Sequence, residues 1–316
     1  MFHSRGIKVD CIFTNGSLIR DTDINWLVKE SIHVFVSMDG LVNGHGAMRN
    51  LTNGLDTIIF NRIIDNIKML IKAGVIVKIN TAVHRYNLKE LEGMYDLLKS
   101  LGVFVWRMTV SKDVGRYMRN KNKFSVEKKE LSFYIKDIIR LYLKDVKKTR
   151  SGIIVPLDMR IANIFKSEML IKPLISYKLQ DSSCDYQKER VTIKSNGDVV
   201  PCGLLVDHVF GNVRRDDIKR IINNKKLREI KNIAINDIKE CKICKYAHLC
   251  GGGCRVSSLA EYGDLLHKDS YACLCMNILF KDVKKILQEN NYNIKISKKP
   301  FFSRKKVYIR NNGYAF

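Results

Sequence analysis

An α/β fold, with a parallel sheet covered by helices and a small cysteine-rich module behind it, is predicted by three observations on this 316-residue chain. Short apolar runs alternate with helical patterns as far as residue 110, and Asn-Gly, Asp-Gly and single glycines punctuate the alternation. Eight of the nine cysteines then crowd between Cys184 and Cys275.

Each element has its own signal. GIKVDCIFTNG reads as a buried strand ending in an Asn-Gly turn, and DTDINWLVKESI as a short helix with Asp21 or Asp23 near its cap. IHVFVSMDG is a second buried strand, closed by Asp39-Gly40. A loop through His45 and Arg49 leads to a helix over 55–73, whose apolar set includes Ile59, Ile63, Ile67 and Leu70 and which Gly74 stops. VIVKINTAV is the third strand, NLKELEGMYDLLKSLG a helix with Asn87 as cap and Gly102 as stop, and VFVWRMT the fourth strand. Strand–helix alternation of this kind builds a parallel sheet. Functional groups then gather at the C-terminal ends of the strands, here around Asn15, Ser37, Asn80 and Arg107.

Further on, 126–149 reads as a long basic amphipathic helix and 157–170 as another. RVTIKSNGDVVPCG has the pattern of a hairpin turning at Asn196-Gly197. Short helices follow near 215–222 and 224–233, and the basic tail from about residue 290 holds a possible strand at Lys306–Arg310.

Composition narrows the function classes. The apolar fraction of 46% suits a globular core. No run of 18 apolar residues exists, so no membrane-spanning helix is expected, and the N-terminus lacks the features of a secretion signal. The chain is therefore read as cytoplasmic, where clustered cysteines mean metal or redox chemistry rather than disulfides. The 56 Lys plus Arg against 32 Asp plus Glu, formally +24, raise the question of a nucleic-acid partner. The basic residues are dispersed along the chain, which argues for a solvated surface instead, and an acidic peptide would use the same field.

The chemistry-bearing motif is CKICKYAHLCGGGC: Cys241-x2-Cys244-x5-Cys250-x3-Cys254. Short spacings let two thiolates reach one centre from a tight turn, and Gly251–Gly253 allow the backbone to bring Cys254 back. Cys184 and Cys202 stand upstream, Cys273 and Cys275 downstream. Eight thiols are enough for two four-thiolate sites. Ligand type alone leaves zinc and iron–sulfur clusters both open.

The order Cys184, x12, Gly197-x4-Cys202, gap, Cys-x2-Cys-x5-Cys-x3-Cys, gap, Cys resembles the seven-cysteine signature of the SPASM domain, the C-terminal extension of many radical S-adenosylmethionine (radical SAM) enzymes. TNG after one strand, VSMDG after the next and an arginine in the following loop are similar to the second half of the radical SAM barrel. The resemblance implies a partial (β/α) barrel over 1–125, a helical connector over 126–180, a SPASM domain over 181–285 and a basic tail over 286–316. It implies that Ser37 and Arg49 contact S-adenosylmethionine, with Asn80 and Arg107 lining the pocket. It also implies two auxiliary [4Fe-4S] clusters: one on Cys184, Cys202 and Cys254, the other on Cys241, Cys244, Cys250 and Cys273. Cys275 either replaces Cys273 or completes the first cluster.

The chain departs from the family at one place. The Cys-x3-Cys-x2-Cys loop that holds the radical-generating cluster does not occur, nor does the glycine-rich strand end for the methionine amino group. Cys11 is a lone cysteine in an apolar strand and reads as a core residue. About four of the six barrel strands are expected, the first two strand–helix units being absent. A truncated reading, one piece of a split protein and a degenerate member all fit this pattern.

The function implied is a radical SAM/SPASM oxidoreductase, or the C-terminal part of one. It would act through a 5′-deoxyadenosyl radical on a peptide or protein side chain, with a ferredoxin or flavodoxin as electron donor. The alternatives are a non-catalytic iron–sulfur electron-transfer or partner-binding subunit, and a zinc-stabilised nucleic-acid-binding protein.

Overall fold

The computed structural model describes residues 8–49, 55–110, 115–150, 152–183 and 190–300. Four strands stand where the alternation predicts them: β1 Cys11–Thr14, β2 His33–Ser37, β3 Val77–Val83 and β4 Val105–Val110. They pair in parallel and in sequence order, joined through the helices Asp21–Lys29, Leu55–Lys72 and Leu91–Leu101. Gly102 ends the last of these in the left-handed region at φ 76°, where a side chain would be strained.

Three expectations are corrected. Residues 157–170 are not a helix: Asp158–Ile161 is a fifth parallel strand beside β4, followed by the antiparallel strand Phe165–Lys166 and a short 3-10 turn. The sheet therefore has five parallel strands rather than four, and the connector is helical only over Lys128–Asp145. The loop through His45 and Arg49 is the helix Val42–Arg49. Asn87 does not cap a helix with its side chain. Its amide donates to the carbonyls of Asp39 and, at 2.8 Å, Ala82, and its Oδ1 accepts from the His84 N–H at 2.9 Å. It thus locks the end of β2 to the end of β3.

Strand alternation sorts the sheet into two faces. Val34, Val36, Val77, Ile79, Trp106, Met108, Met159 and Ile161 are buried under the helices and form the main core. The indole N–H of Trp106 donates to Thr81 Oγ1 at 2.9 Å, and Thr81 donates on to the Met38 carbonyl at 2.7 Å, so this polar pair is satisfied inside the core. The opposite face carries His33, Phe35, Ser37, Lys78, Asn80, Arg107 and Arg160, and it is chemically quite different.

The cysteine-rich part begins with the predicted hairpin, Thr192–Ile193 paired antiparallel with Asp198–Val200 around Gly197 at φ 92°. The strand Gly211–Asn212 and the helices Ile218–Ile222 and Lys225–Lys231 follow, then the cysteine loop and the helices Arg255–Tyr262 and Ser270–Ile278. Helix Ser270–Ile278 packs into the main core through Cys275, Met276 and Ile278, joining the module to the barrel. The possible strand at Lys306–Arg310 lies outside the described residues. No helix among the described residues is long and apolar enough to cross a membrane.

Candidate functional site: strand ends facing a thiol-rich loop

Register aligns three of the sequence-derived residues. Ser37 is opposite Asn80, Asn80 opposite Arg107, and Arg107 opposite Arg160, one row across four strands spaced about 4.8 Å apart. Asn80 Oδ1 is buried without a hydrogen-bond partner among the described residues, an acceptor held ready on this face. The Arg107 guanidinium lies 5.2 Å and the Lys78 ammonium 5.0 Å from the centre of the Phe35 ring, which itself stacks on Phe13 at 4.5 Å. Burial holds the Lys78 pKa below its ordinary value, and its Nζ stands 2.9 Å from His33 Nδ1. Cys11 is not a core residue as expected: it is half-buried, pairs in register with His33 and lies close enough to influence Lys78.

The helix Val42–Arg49 is anchored by a distant carboxylate. Glu90 accepts from the Leu41 N–H at 2.8 Å and the Gly44 N–H at 3.1 Å, satisfying donors that a helix start leaves open. Arg49 ends this helix, and its side chain lies outside the described residues.

Cys241 and Cys250 of the cysteine loop lie within electrostatic reach of each other and of Cys273 on the helix Ser270–Ile278, and Cys244 lies within reach of Cys241 and Cys273. Burial pushes the Cys250 thiol up to about 12, and the nearby Cys273 and Cys241 add to the rise. Burial likewise pushes Cys241 up to about 11, opposed by the Arg255 guanidinium. Cys273 is also raised, by burial and then by Cys244. Thiols kept protonated by burial ionise when a metal centre takes the protons' place, so the donor set fits a thiolate-bound group. None of the eight described cysteines is in a disulfide. Among the described residues, no three His, Cys, Asp or Glu side chains converge closely enough to hold a single metal ion.

Cys275 does not join this group. It is 1% exposed in the main core, on the same helix as Cys273. Cys202 follows the hairpin, and the segment after it, Gly203–His208, shares a cavity with Val256, Leu259 and Ala260 of the helix that Cys254 begins. Cys184 lies outside the described residues.

Gly251, Gly252 and Gly253 are all left-handed, at φ 69°, 79° and 75°. A Cβ on Gly253 would stand 2.6 Å from the Asp269 Cβ, so both conformation and space demand glycine. Two residues that the sequence reading missed hold this loop. Asp269 accepts from the Cys254 N–H at 2.9 Å while capping helix Ser270–Ile278 through the N–H groups of Tyr271 and Ala272. Arg255, buried, donates to the carbonyls of Leu265 and His267 at 2.6 Å each and to that of Gly252. An Asp-Ser pair just before a helical run was the available signal for Asp269. No sequence pattern marks Arg255. His267 is structural: its Nδ1 lies 3.1 Å from Glu240, and its ring stacks on Tyr262. His248 is exposed, and its carbonyl accepts from Tyr177.

The sheet and the loop meet at a cavity of about 410 Å³, lined by Thr109 and Val110 at the end of β4, by Asn163, and by Cys250, Cys254 and Tyr271. Ser183 also lines it, and Ser183 Oγ is buried without a hydrogen-bond partner among the described residues. Strand ends and thiol loop thus share one polar-edged space, where a parallel sheet places ligands.

Residues 184–245 match the SPASM family, described as an iron–sulfur cluster-binding domain. A cysteine-type anaerobic sulfatase-maturating enzyme of Clostridium novyi (strain NT) is 23% identical over 263 residues, 80% of this chain and 66% of the relative. The matched segment is thus a SPASM-type iron–sulfur domain, and the chain as a whole resembles radical SAM/SPASM proteins. An AdoMet-dependent heme synthase of Methanosarcina barkeri is 25% identical over 84% of this chain and 74% of its own length. In fold, the chain resembles anSMEcpe with bound AdoMet and a Cp18Cys peptide, with a TM-score of 0.65 at 19% identity, covering 91% of this chain and 78% of that one. It also resembles Streptococcus suis SuiB bound to the precursor peptide SuiA, with a TM-score of 0.57 at 18% identity, covering 84% of this chain and 59% of that one. The chain spans about two-thirds of the length of the first curated relative it matches.

Proposed function

We propose that this chain is a radical SAM/SPASM oxidoreductase, or the C-terminal part of one, that modifies a side chain of a peptide or protein. The observation that carries the reading is the shared cavity: the thiol loop at Cys250 and Cys254 faces Thr109 and Val110 at the end of β4, the strand that presents Arg107 in register with Asn80 and, through it, Ser37. Relatives that are sulfatase-maturating enzymes, and a structural neighbour seen with a precursor peptide, support a peptide substrate. S-adenosylmethionine, when bound and reductively cleaved, supplies a 5′-deoxyadenosyl radical.

In this reading the chain's own residues bind and orient. Ser37 offers a hydroxyl, Asn80 an unpartnered amide oxygen and Arg107 a guanidinium to S-adenosylmethionine, with Arg49 as a further contact. Cys241, Cys244, Cys250 and Cys273 would hold one [4Fe-4S] cluster, and Cys184, Cys202 and Cys254 the other. The substrate side chain would enter between Thr109 and Tyr271. A ferredoxin or flavodoxin would exchange electrons with the clusters. Because these 316 residues contain no Cys-x3-Cys-x2-Cys loop, the radical step is proposed for the protein that also carries that loop.

The test is anaerobic reconstitution of the chain with iron and sulfide, followed by iron, sulfide and zinc analysis on the same sample. About eight irons per chain with matching sulfide is the expected result. One or two zincs with little iron would overturn it.

A further inference from the structure

A broad groove lies away from the cavity, between the helix Lys128–Asp145 and the end of the helix Ser270–Ile278. It measures about 700 Å³, and its lining includes Lys128, Lys129, Lys136 and Lys281 against two carboxylates, Glu130 and Asp282. Phe133 lies at this groove with 55% of its surface exposed and its ring edge-on to Tyr134 at 5.3 Å. The Ser132 hydroxyl donates to Asp282 at 3.0 Å and ties the two walls together. On the far wall the α-helix loosens into the π-turn Leu279–Val283, which carries Lys281 and Asp282. Such turns are rare and recur at functional sites.

The position of the groove matters as much as its charge. Asn277 lines it, four residues beyond Cys273 on one helix. Residues four apart share a helix face with Cβ atoms about 6 Å apart. The groove therefore opens one helical turn from a thiol of the Cys241, Cys244, Cys250 and Cys273 group.

The geometry points to this groove as the docking face for a small acidic electron-carrier protein, whose carboxylates meet the four lysines and whose apolar rim covers Phe133. Naming the partner as an electron carrier rests on the proposed cluster at Cys273; the acidic character follows from the lysines alone. Electron-transfer complexes are small, charge-rich and salt-sensitive, which an open basic groove with one exposed aromatic fits. The proposed function puts a peptide substrate elsewhere, in the cavity between Thr109 and Tyr271.

The test titrates a flavodoxin and a ferredoxin, separately, into the full chain reconstituted with iron, and reads affinity by calorimetry at low and high salt. At least one should bind, and added salt should weaken the binding by about tenfold or more. The triple substitution Lys128→Glu, Lys129→Glu, Lys281→Glu should weaken it by at least about tenfold, and Phe133→Ala by several-fold. Iron and sulfide are measured on the same samples, so loss of the cluster is read apart from loss of docking. Binding that survives the charge reversal overturns the proposal whatever the iron content, as does a wild-type chain that binds neither carrier. Capture of an acidic peptide, lost on charge reversal while carrier binding persists, would overturn it in favour of a peptide groove.

Discussion

Cys273 and Cys275 sit two residues apart on the helix Ser270–Ile278 and face opposite ways: Cys273 lies among the thiols of Cys241, Cys244 and Cys250, and Cys275 is sealed in the apolar core. At about 100° per residue, two steps around a helix span roughly 200°, so one residue cannot stand in for the other. Cys273→Ser should cut reconstituted iron by about half, leaving near four irons per chain. Cys275→Ala should leave iron unchanged and lower stability by about 1 kcal/mol, the cost of a small core cavity. Iron analysis and urea unfolding of both variants check this, and iron loss on Cys275→Ala would reassign the last ligand.

Gly253 offers a sharper test of how the loop delivers Cys254. Its φ of 75° is unfavourable for any residue with a Cβ, and that Cβ would meet Asp269 at 2.6 Å. Gly253→Ala should lower the melting temperature, at a cost of roughly 1–3 kcal/mol. Gly263, also left-handed but with open space around it, is the control. Gly263→Ala should cost about 1 kcal/mol from backbone strain alone and leave iron loading intact.

The parts legible in the sequence were those whose cause is local. β1 to β4 were found because short apolar runs bounded by turn residues identify strands without tertiary help: Asn-Gly closes β1, Asp-Gly closes β2, and the helix-stopping Gly74 and Gly102 stand just before β3 and β4. The thiol module was found because ligand chemistry lies in residue identity and spacing. The strand Asp158–Ile161 was missed because its polar residues suggested an amphipathic helix. Asp158 and Arg160 alternate with Met159 and Ile161, and Arg160 donates to Asp158 at 2.8 and 2.5 Å. The helix Val42–Arg49 was missed because Gly44 and Gly46 lower its propensity, while Glu90, distant in sequence, satisfies its first donors. Arg255 and Asp269 act through carbonyls and N–H groups that only the folded loop brings near, so their roles could not be read beforehand.

Asn80 separates function from stability. Its Oδ1 is buried without a partner among the described residues, so Asn80→Ala removes an acceptor that those residues leave unused. The variant should unfold at the same urea concentration as the parent, or slightly higher. In the protein carrying the radical-cluster loop, the same substitution should weaken S-adenosylmethionine binding by about tenfold, near 1.4 kcal/mol. Loss of stability without loss of affinity would make Asn80 a structural residue.

Asp145 sets an acid limit to the barrel's helical layer. It ends the helix Lys128–Asp145, and its Oδ2 accepts from Tyr95 at 2.7 Å and Lys99 at 2.6 Å on the neighbouring helix. Burial alone would raise its pKa, but the hydrogen bonds from Lys99 and Tyr95 outweigh it and hold the carboxyl below its ordinary value of 3.8. A carboxylate lowered in the folded state contributes stability that is fully present above the unfolded value and fades as pH falls through the folded one. Asp145→Asn should therefore be less stable than the parent at pH 7, by on the order of 1 kcal/mol or less, because solvent screens a partly exposed pair. That difference should shrink below about pH 4, as the parent's carboxylate takes up its proton. Urea unfolding of both proteins across this range measures it, and a gap that stays constant down to about pH 3 would show that packing rather than charge joins the two helices.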